Sequence, residues 1–293
     1  MKKFVVKLSW SRMAIGSILV AAIACMVACG DDSSSSSGPN DEPVSVENSS
    51  SSSSSGVKPL SSSWTPDGGI GSSSSSLIAR TSCNVDTDEN CMNDTRDGQT
   101  YKTVTIGTQT WMAQNLNYET ENSYCYLDIA SNCTEYGRLY TWAAAMDSAG
   151  TWSTNGKGCG YNKTCSPAYP VRGVCPEGWH LPTQAEWNAL VIAVGGSSTA
   201  GKVLKSQTGW STTSQDVDGN GTDAYAFSAL PAGLMDAFRG YGSVGYDVFF
   251  WSSTEYDCDD DDAYYMVLYY AGDTANLYNN RKKNGYSVRC LKD

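Results

Sequence analysis

Apolar and polar positions alternate through Tyr101-Lys102-Thr103-Val104-Thr105-Ile106, a stretch rich in β-branched residues. That pattern predicts a strand with one face buried. Gly107-Thr108 supplies a turn, and Gln109-Thr110-Trp111-Met112 returns as the second arm of a hairpin. The period then changes. Leu139, Trp142, Ala143 and Met146 fall on one helical face, and Gly150 would end that helix. A second helix is better marked. Thr183 is a good N-cap and Glu186 completes a capping box, with Pro182 just outside. Trp187, Leu190, Val191 and Val194 share its apolar face, and Gly195-Gly196 stops it. Phe249-Phe250-Trp251 and the run Tyr264 to Tyr270 read as aromatic-rich strands, and Tyr286 to Leu291 as a final alternating strand.

The N-terminus follows a different pattern. Lys2, Lys3, Lys7 and Arg12 precede an almost wholly apolar run, Met13 to Ala28, that closes on Met26-Val27-Ala28-Cys29. Basic head, apolar middle and small residues before a cut describe a secretory signal. The cysteine at the cut resembles the lipobox of bacterial lipoproteins, which implies a lipidated Cys29 as first mature residue. An ordinary signal peptide is the alternative. The run is shorter than the ~20 residues a bilayer core requires. Serine runs follow at Ser33–Ser37, Ser49–Ser55, Ser61–Ser63 and Ser72–Ser76, interspersed with prolines. Such a composition buries too little apolar surface to offset ordering entropy, so it reads as a flexible tether. About fifty residues of it would span roughly 40 Å. The expected organisation is a signal segment 1–28, a tether 29–95 and one folded domain 96–293.

Charge and cysteines narrow the setting. The net charge is −11, which argues against nucleic acid as a partner because counterion release needs a basic surface. An exported chain with this cysteine density reads as a disulfide framework. Connectivity is not determined by sequence. Spacing suggests Cys83–Cys91, Cys125–Cys133 and Cys159–Cys165 as local loops and Cys175–Cys290 as a long bridge. The nine cysteines after Cys29 are an odd number, so one, with Cys258 the candidate, is left over or paired between chains.

Five ordered blocks carry a family resemblance. They are Thr105 to Asn117, Cys175 to Thr183, Phe227 to Gly233, Phe250 to Glu255 and Gly285 to Cys290. Together they resemble the Fibrobacter succinogenes major paralogous domain, whose members are often lipoproteins with serine-rich linkers. The segment Gly178 to Trp187 also looks like the G-x-R-L-P-T-E-A-E-W segment of formylglycine-generating and related sulfatase-modifying proteins. That second likeness implies an α+β, C-type-lectin-like fold with two helices, small twisted antiparallel sheets and long disulfide-bridged loops.

The chemistry of those enzymes does not carry over readily. His180 is the sole histidine, so a histidine-held iron site cannot be built. Copper held by two thiols would need a free partner for Cys258, whose aspartate neighbours oppose thiolate formation. His180, beside a helix start, reads as a packed or capping residue. Asp216-Val217-Asp218-Gly219-Asn220-Gly221 matches the first half of a calcium loop, so Asp216, Asp218, Asn220 and Asp223 are candidate Ca2+ ligands. Phe227 stands where a closing Glu would be required, and a metal-free turn explains the same residues. The run Asp257 to Asp262 reads as a solvated loop tip. Tyr and Trp far outnumber Phe, at 18 and 9 against 5, and their amphipathic rings suit sugars or partner proteins. Trp210, Tyr241, Tyr246, Trp251 and Tyr256 are the candidate ligand-binding residues. The expectation is an anchored binding or adhesion module of the cell envelope, at the outer membrane or cell surface. It would meet a polysaccharide or an envelope protein and touch the membrane only through lipid. A sulfatase-modifying-like metal oxidoreductase and a purely structural envelope component are the alternatives.

Overall fold

The computed structural model describes residues 82–293. The expected signal segment, the candidate lipid site at Cys29 and most of the expected tether lie outside the described residues. No helix among the described residues is long and apolar enough to cross a membrane.

Strands dominate. In chain order they are β1 Cys91–Asn93, β2 Thr100–Ile106, β3 Gln109–Met112, β4 Ser123–Tyr124, β5 Leu139–Tyr140, β6 Trp179–His180, β7 Ala232–Asp236, β8 Gly240–Val244, β9 Asp247–Glu255, β10 Asp262–Tyr269, β11 Ala275–Arg281 and β12 Leu291–Lys292. The helices are short: α1 Ala130–Tyr136, α2 Trp142–Ala145, α3 Gln184–Ala193 and α4 Ser197–Leu204, with a 3-10 turn at Tyr126–Asp128. Two five-stranded sheets form, in the orders β1-β2-β3-β12-β6 and β11-β10-β9-β7-β8, and β4 pairs with β5. Neighbours are antiparallel except β7 and β9, which run parallel. β1 and the Cys83–Cys91 bridge lie upstream of Arg96, within the stretch whose composition suggested tether.

This architecture corrects the expected fold class. The protein is mostly β, with two curled half-barrel sheets and 15% helix, and is not an α+β C-type-lectin-like fold. Tertiary pairing is the reason. The stripe from Leu139 to Met146 is buried as expected, but Tyr140 exchanges backbone hydrogen bonds with Tyr286. That pairing pulls Leu139–Tyr140 into β5 and leaves α2 a single turn, capped by the Thr141 hydroxyl. The hairpin β2–β3, the strands β9 and β10, and α3 with its Thr183–Glu186 capping box form where their patterns predict.

The C-terminal segment shows why the sheets cohere. Residues 284–291 are buried throughout. Each backbone group bonds a different element: Tyr286 to Tyr140, Ser287 to Phe249 and Trp251, Val288 to Leu116, Cys290 to Met112. A segment inserted between layers cannot keep one neighbour, so only Leu291–Lys292 is a regular strand. β9 feeds two core clusters by its period of two. Phe249 and Trp251 pack with Trp142, Tyr265 and Tyr286, whereas Val248 and Phe250 pack with Trp111, Trp187 and Phe227. The Trp111 and Trp187 rings lie 4.6 Å apart. Four bridges, Cys83–Cys91, Cys125–Cys133, Cys159–Cys165 and Cys175–Cys290, fasten this frame. They are the pairs that spacing suggests.

Candidate functional site

An open trough of about 830 Å3 lies between β2, the end of α1 and the loops 206–208 and 223–230. Arg289 lies at its base, almost fully buried. A buried guanidinium is tolerated only when its donors are satisfied. Arg289 donates to Asn115 Oδ1 at 2.9 Å, to the Ser228 carbonyl at 2.9 Å and to the Phe227 carbonyl, and its plane lies 4.3 Å from the Phe227 ring centroid. Asn115 in turn donates to the Tyr136 carbonyl and Ser287 Oγ. The Asp223 carboxylate accepts from Ser228 N at 2.7 Å and Ser228 Oγ at 2.6 Å. Asp223, Ala226 and Ser228 all adopt left-handed backbone, which the side-chain network holds in place. The trough therefore has a rigid floor, with Lys102, Glu135, Gln207 and Thr208 on its walls. Asn115, Ser228 and Arg289 come from three of the blocks that carry the family resemblance. Arg289 could have been noticed as a lone charge between Val288 and Cys290 in an otherwise apolar strand.

A second cleft of about 650 Å3 lies between the β7–β8 hairpin, the loop closed by Cys159–Cys165 and Lys282–Lys283. Its aromatic lining is Tyr124, Tyr161, Phe238 and Tyr241. Tyr241 donates to Asp128 Oδ1 at 2.5 Å, and its ring packs on Tyr126. Burial and this bond raise the Tyr241 pKa, so its proton stays on the phenol. Phe238 is 67% exposed at the hairpin tip. Of this group only Tyr241 was singled out by composition; Phe238, between turn residues, had no periodic signal.

The other expected ligand-binding residues are dispersed. Trp251 is completely buried and Trp210 nearly so. Their indole N–H groups donate to the Tyr140 carbonyl, and to Ser206 Oγ and the Ala229 carbonyl, respectively. Both are core residues, which corrects their reading as stacking platforms. Tyr246 is exposed and packs edge-on against Tyr270; Tyr256 does the same with Tyr264. In the expected calcium loop, Asp216 is exposed with positive φ. Asp218 accepts from Asn220 N, and Asn220 Oδ1 from Trp210 N. Asp223 is the trough residue described above. Among the described residues, Asp259, Asp260 and Asp261 are the acidic group whose ligand atoms lie within 4.8 Å of one another. Cys258 is disulfide-bonded, as are the other eight described cysteines. Cys258 is therefore not left over as a free thiol, and no described cysteine is left to hold copper as a thiolate.

Two contacts centred on the buried side chains of His180 and Lys282 hold the loops. His180 places Nδ1 2.7 Å from Asp293 Oδ1 and Nε2 3.1 Å from Glu186 Oε1. Burial pulls the His180 pKa down, but hydrogen bonds to Glu186 and Asp293 outweigh it and leave the pKa raised. Burial likewise pushes Glu186 up, and bonds from His180 and Thr183 bring it below the ordinary carboxylate value. His180 thus fastens the α3 capping box to Asp293. Lys282 is fully buried and donates to the Glu255 carboxylate, to the Asp260 carbonyl at 2.5 Å and to the Lys163 carbonyl at 3.3 Å. It also lies 4.8 Å from the Trp142 ring centroid. This one ammonium ties the acidic loop, β9 and the loop of Cys159–Cys165 together.

Fold and site define a disulfide-stapled, mostly β domain with ligand-sized clefts. The chain belongs to the Fibrobacter succinogenes major domain family, whose model matches residues 104–292. No curated protein and no solved structure matches it.

Proposed function

We propose that this protein is an exported, lipid-anchored binding module that presents its cross-linked domain to a polysaccharide or an envelope protein. The observation that carries this reading is the pair of clefts, about 830 and 650 Å3, on loops fastened to the core by disulfides and buried networks. Those volumes fall in the ~300–1,000 Å3 range of small-ligand sites. Rigid placement lowers the entropy lost on binding. The N-terminal pattern supports export and a tether that holds the domain clear of a bilayer. The test combines a glycan array and an insoluble-polysaccharide pull-down with capture from envelope fractions, using the mature chain. Saturable retention by a polysaccharide or an envelope protein is expected. No retention by either would overturn the reading.

A further inference from the structure

We infer that the aromatic cleft between the β7–β8 hairpin and the Cys159–Cys165 loop is a binding site for a neutral saccharide. The inference rests on the binding-module reading and assigns the saccharide to this cleft rather than to the trough over Arg289.

Four aromatic rings reach one cleft from three separate segments: Tyr124 from β4, Tyr161 from the Cys159–Cys165 loop, and Phe238 and Tyr241 from the β7–β8 hairpin. The trough, by contrast, has one ring, that of Tyr136. A pyranose has an apolar C–H face and an equatorial rim of hydroxyls. It therefore suits a surface that offers ring faces with hydrogen-bonding groups beside them. The cleft supplies those groups as Asn122, Asp128, Asp236 and Lys283.

The rings are held outward rather than collapsed on the core. Asp236 Oδ1 accepts the backbone N–H of both Phe238 and Arg239 at 2.9 Å, which fixes the tip. The Arg281 guanidinium lies 5.0 Å from the Phe238 ring centroid, and the Lys283 ammonium 3.8 Å from that of Tyr161. The cations steady the two rings. Leaving a phenyl ring two-thirds exposed forgoes burial energy that the core would otherwise collect. Beneath them, Lys282 is locked by Glu255 and carbonyls, so the base does not shift.

Charge decides for a neutral ligand. Two carboxylates, Asp128 and Asp236, are balanced by the Lys283 ammonium and the Arg281 guanidinium at Phe238, while Lys282 is already neutralised by Glu255, so the cleft carries no excess charge to select an ion. An anionic polymer would meet both carboxylates. A sugar hydroxyl can donate to their remaining lone pairs and accept from Lys283 or Asn122.

The test titrates the mature full-length chain with hexasaccharides of β-1,4-glucose, β-1,4-mannose, α-1,4-glucose and, as charged control, α-1,4-galacturonate. Saturable binding of at least one neutral hexasaccharide is expected. Phe238→Ala and Tyr161→Ala should each weaken it at least tenfold. Tyr278→Ala, an exposed tyrosine of β11 outside the cleft, should leave it unchanged. Phe238 is exposed, so its substitution tests binding without unfolding the protein, and melting curves would verify this. Neutral-sugar binding that survives both cleft substitutions overturns the inference while the binding-module reading stands. Binding of the galacturonate alone overturns it too. If no hexasaccharide binds, the inference falls, and capture from envelope fractions then decides whether the wider reading survives.

Discussion

Removing the bridge Cys175–Cys290 tests how this fold is held together. Both sulfurs are fully buried, and the bridge joins the residues just before β6 and β12, whose Leu291 and His180 pair. Its stabilisation comes mainly from the unfolded chain that it constrains. The loop relation gives about 4.8 kcal/mol at 25 °C for its sequence separation of 115, against about 2.2 kcal/mol for Cys159–Cys165 at a separation of 6. At ~2–4 °C per kcal/mol for a domain of this size, those values correspond to Tm losses of roughly 10–19 °C and 4–9 °C. The assay compares Cys175→Ala/Cys290→Ala with Cys159→Ala/Cys165→Ala by guanidinium unfolding and calorimetry of the oxidised proteins. Each double variant also loses two packed sulfurs, so the difference between them, about 2.6 kcal/mol, is what loop length sets. Equal losses, or a larger loss at the short loop, would refute the chain-entropy reasoning and put native-state strain or residual unfolded structure in its place.

Other perturbations address single contacts. Lys282→Met leaves the largely buried Glu255 carboxylate without its cation and should cost about 3–5 kcal/mol, while Lys282→Met with Glu255→Met should recover most of it; a double-mutant cycle showing no coupling would disprove the lock. Thr183→Ala removes the α3 cap and should cost about 1 kcal/mol in chemical denaturation. Gly233→Ala should cost more than about 2 kcal/mol, because φ is +67° and an added Cβ would stand 2.4 Å from the Gly242 carbonyl oxygen; an unchanged Tm would contradict that close approach. The His180 contact makes stability depend on pH in a definite sense. His180 has a raised folded-state pKa, so its contribution is fully present below the ordinary value of 6.5 and is lost as pH rises through the folded one. Glu186 is depressed, so its share is present above 4.5 and lost as pH falls. The contact is therefore strongest between pH 4.5 and 6.5, and His180→Gln should flatten the alkaline decline of Tm; an identical Tm–pH curve would refute it.

Local physics made several elements legible. The β2–β3 hairpin needs only its alternation and a Gly turn, and α3 only Thr183, Glu186 and an apolar stripe, because their hydrogen bonds close within a few residues. The three local bridges could be suggested from spacing, since short loops close at low entropic cost, and Cys175–Cys290 then joined two of the remaining cysteines. The exposed side chains of Asp257, Asp259 and Asp260 likewise follow from composition. Everything that depends on distant neighbours was decided by the tertiary structure. Leu139–Tyr140 is strand rather than helix because Tyr286 lies beside it. Tyr286 to Leu291 reads as a simple strand but is shared among several elements. The aromatic residues divided on the same ground: Trp210 and Trp251 vanished into the core, and Phe238, an isolated ring between turn residues, came to the surface beside Tyr241. Side-chain type sets what a residue can do, but burial and neighbours determine whether it does so. Those come from contacts closed across more than a hundred residues, such as Asn115 with Arg289, which no local pattern encodes.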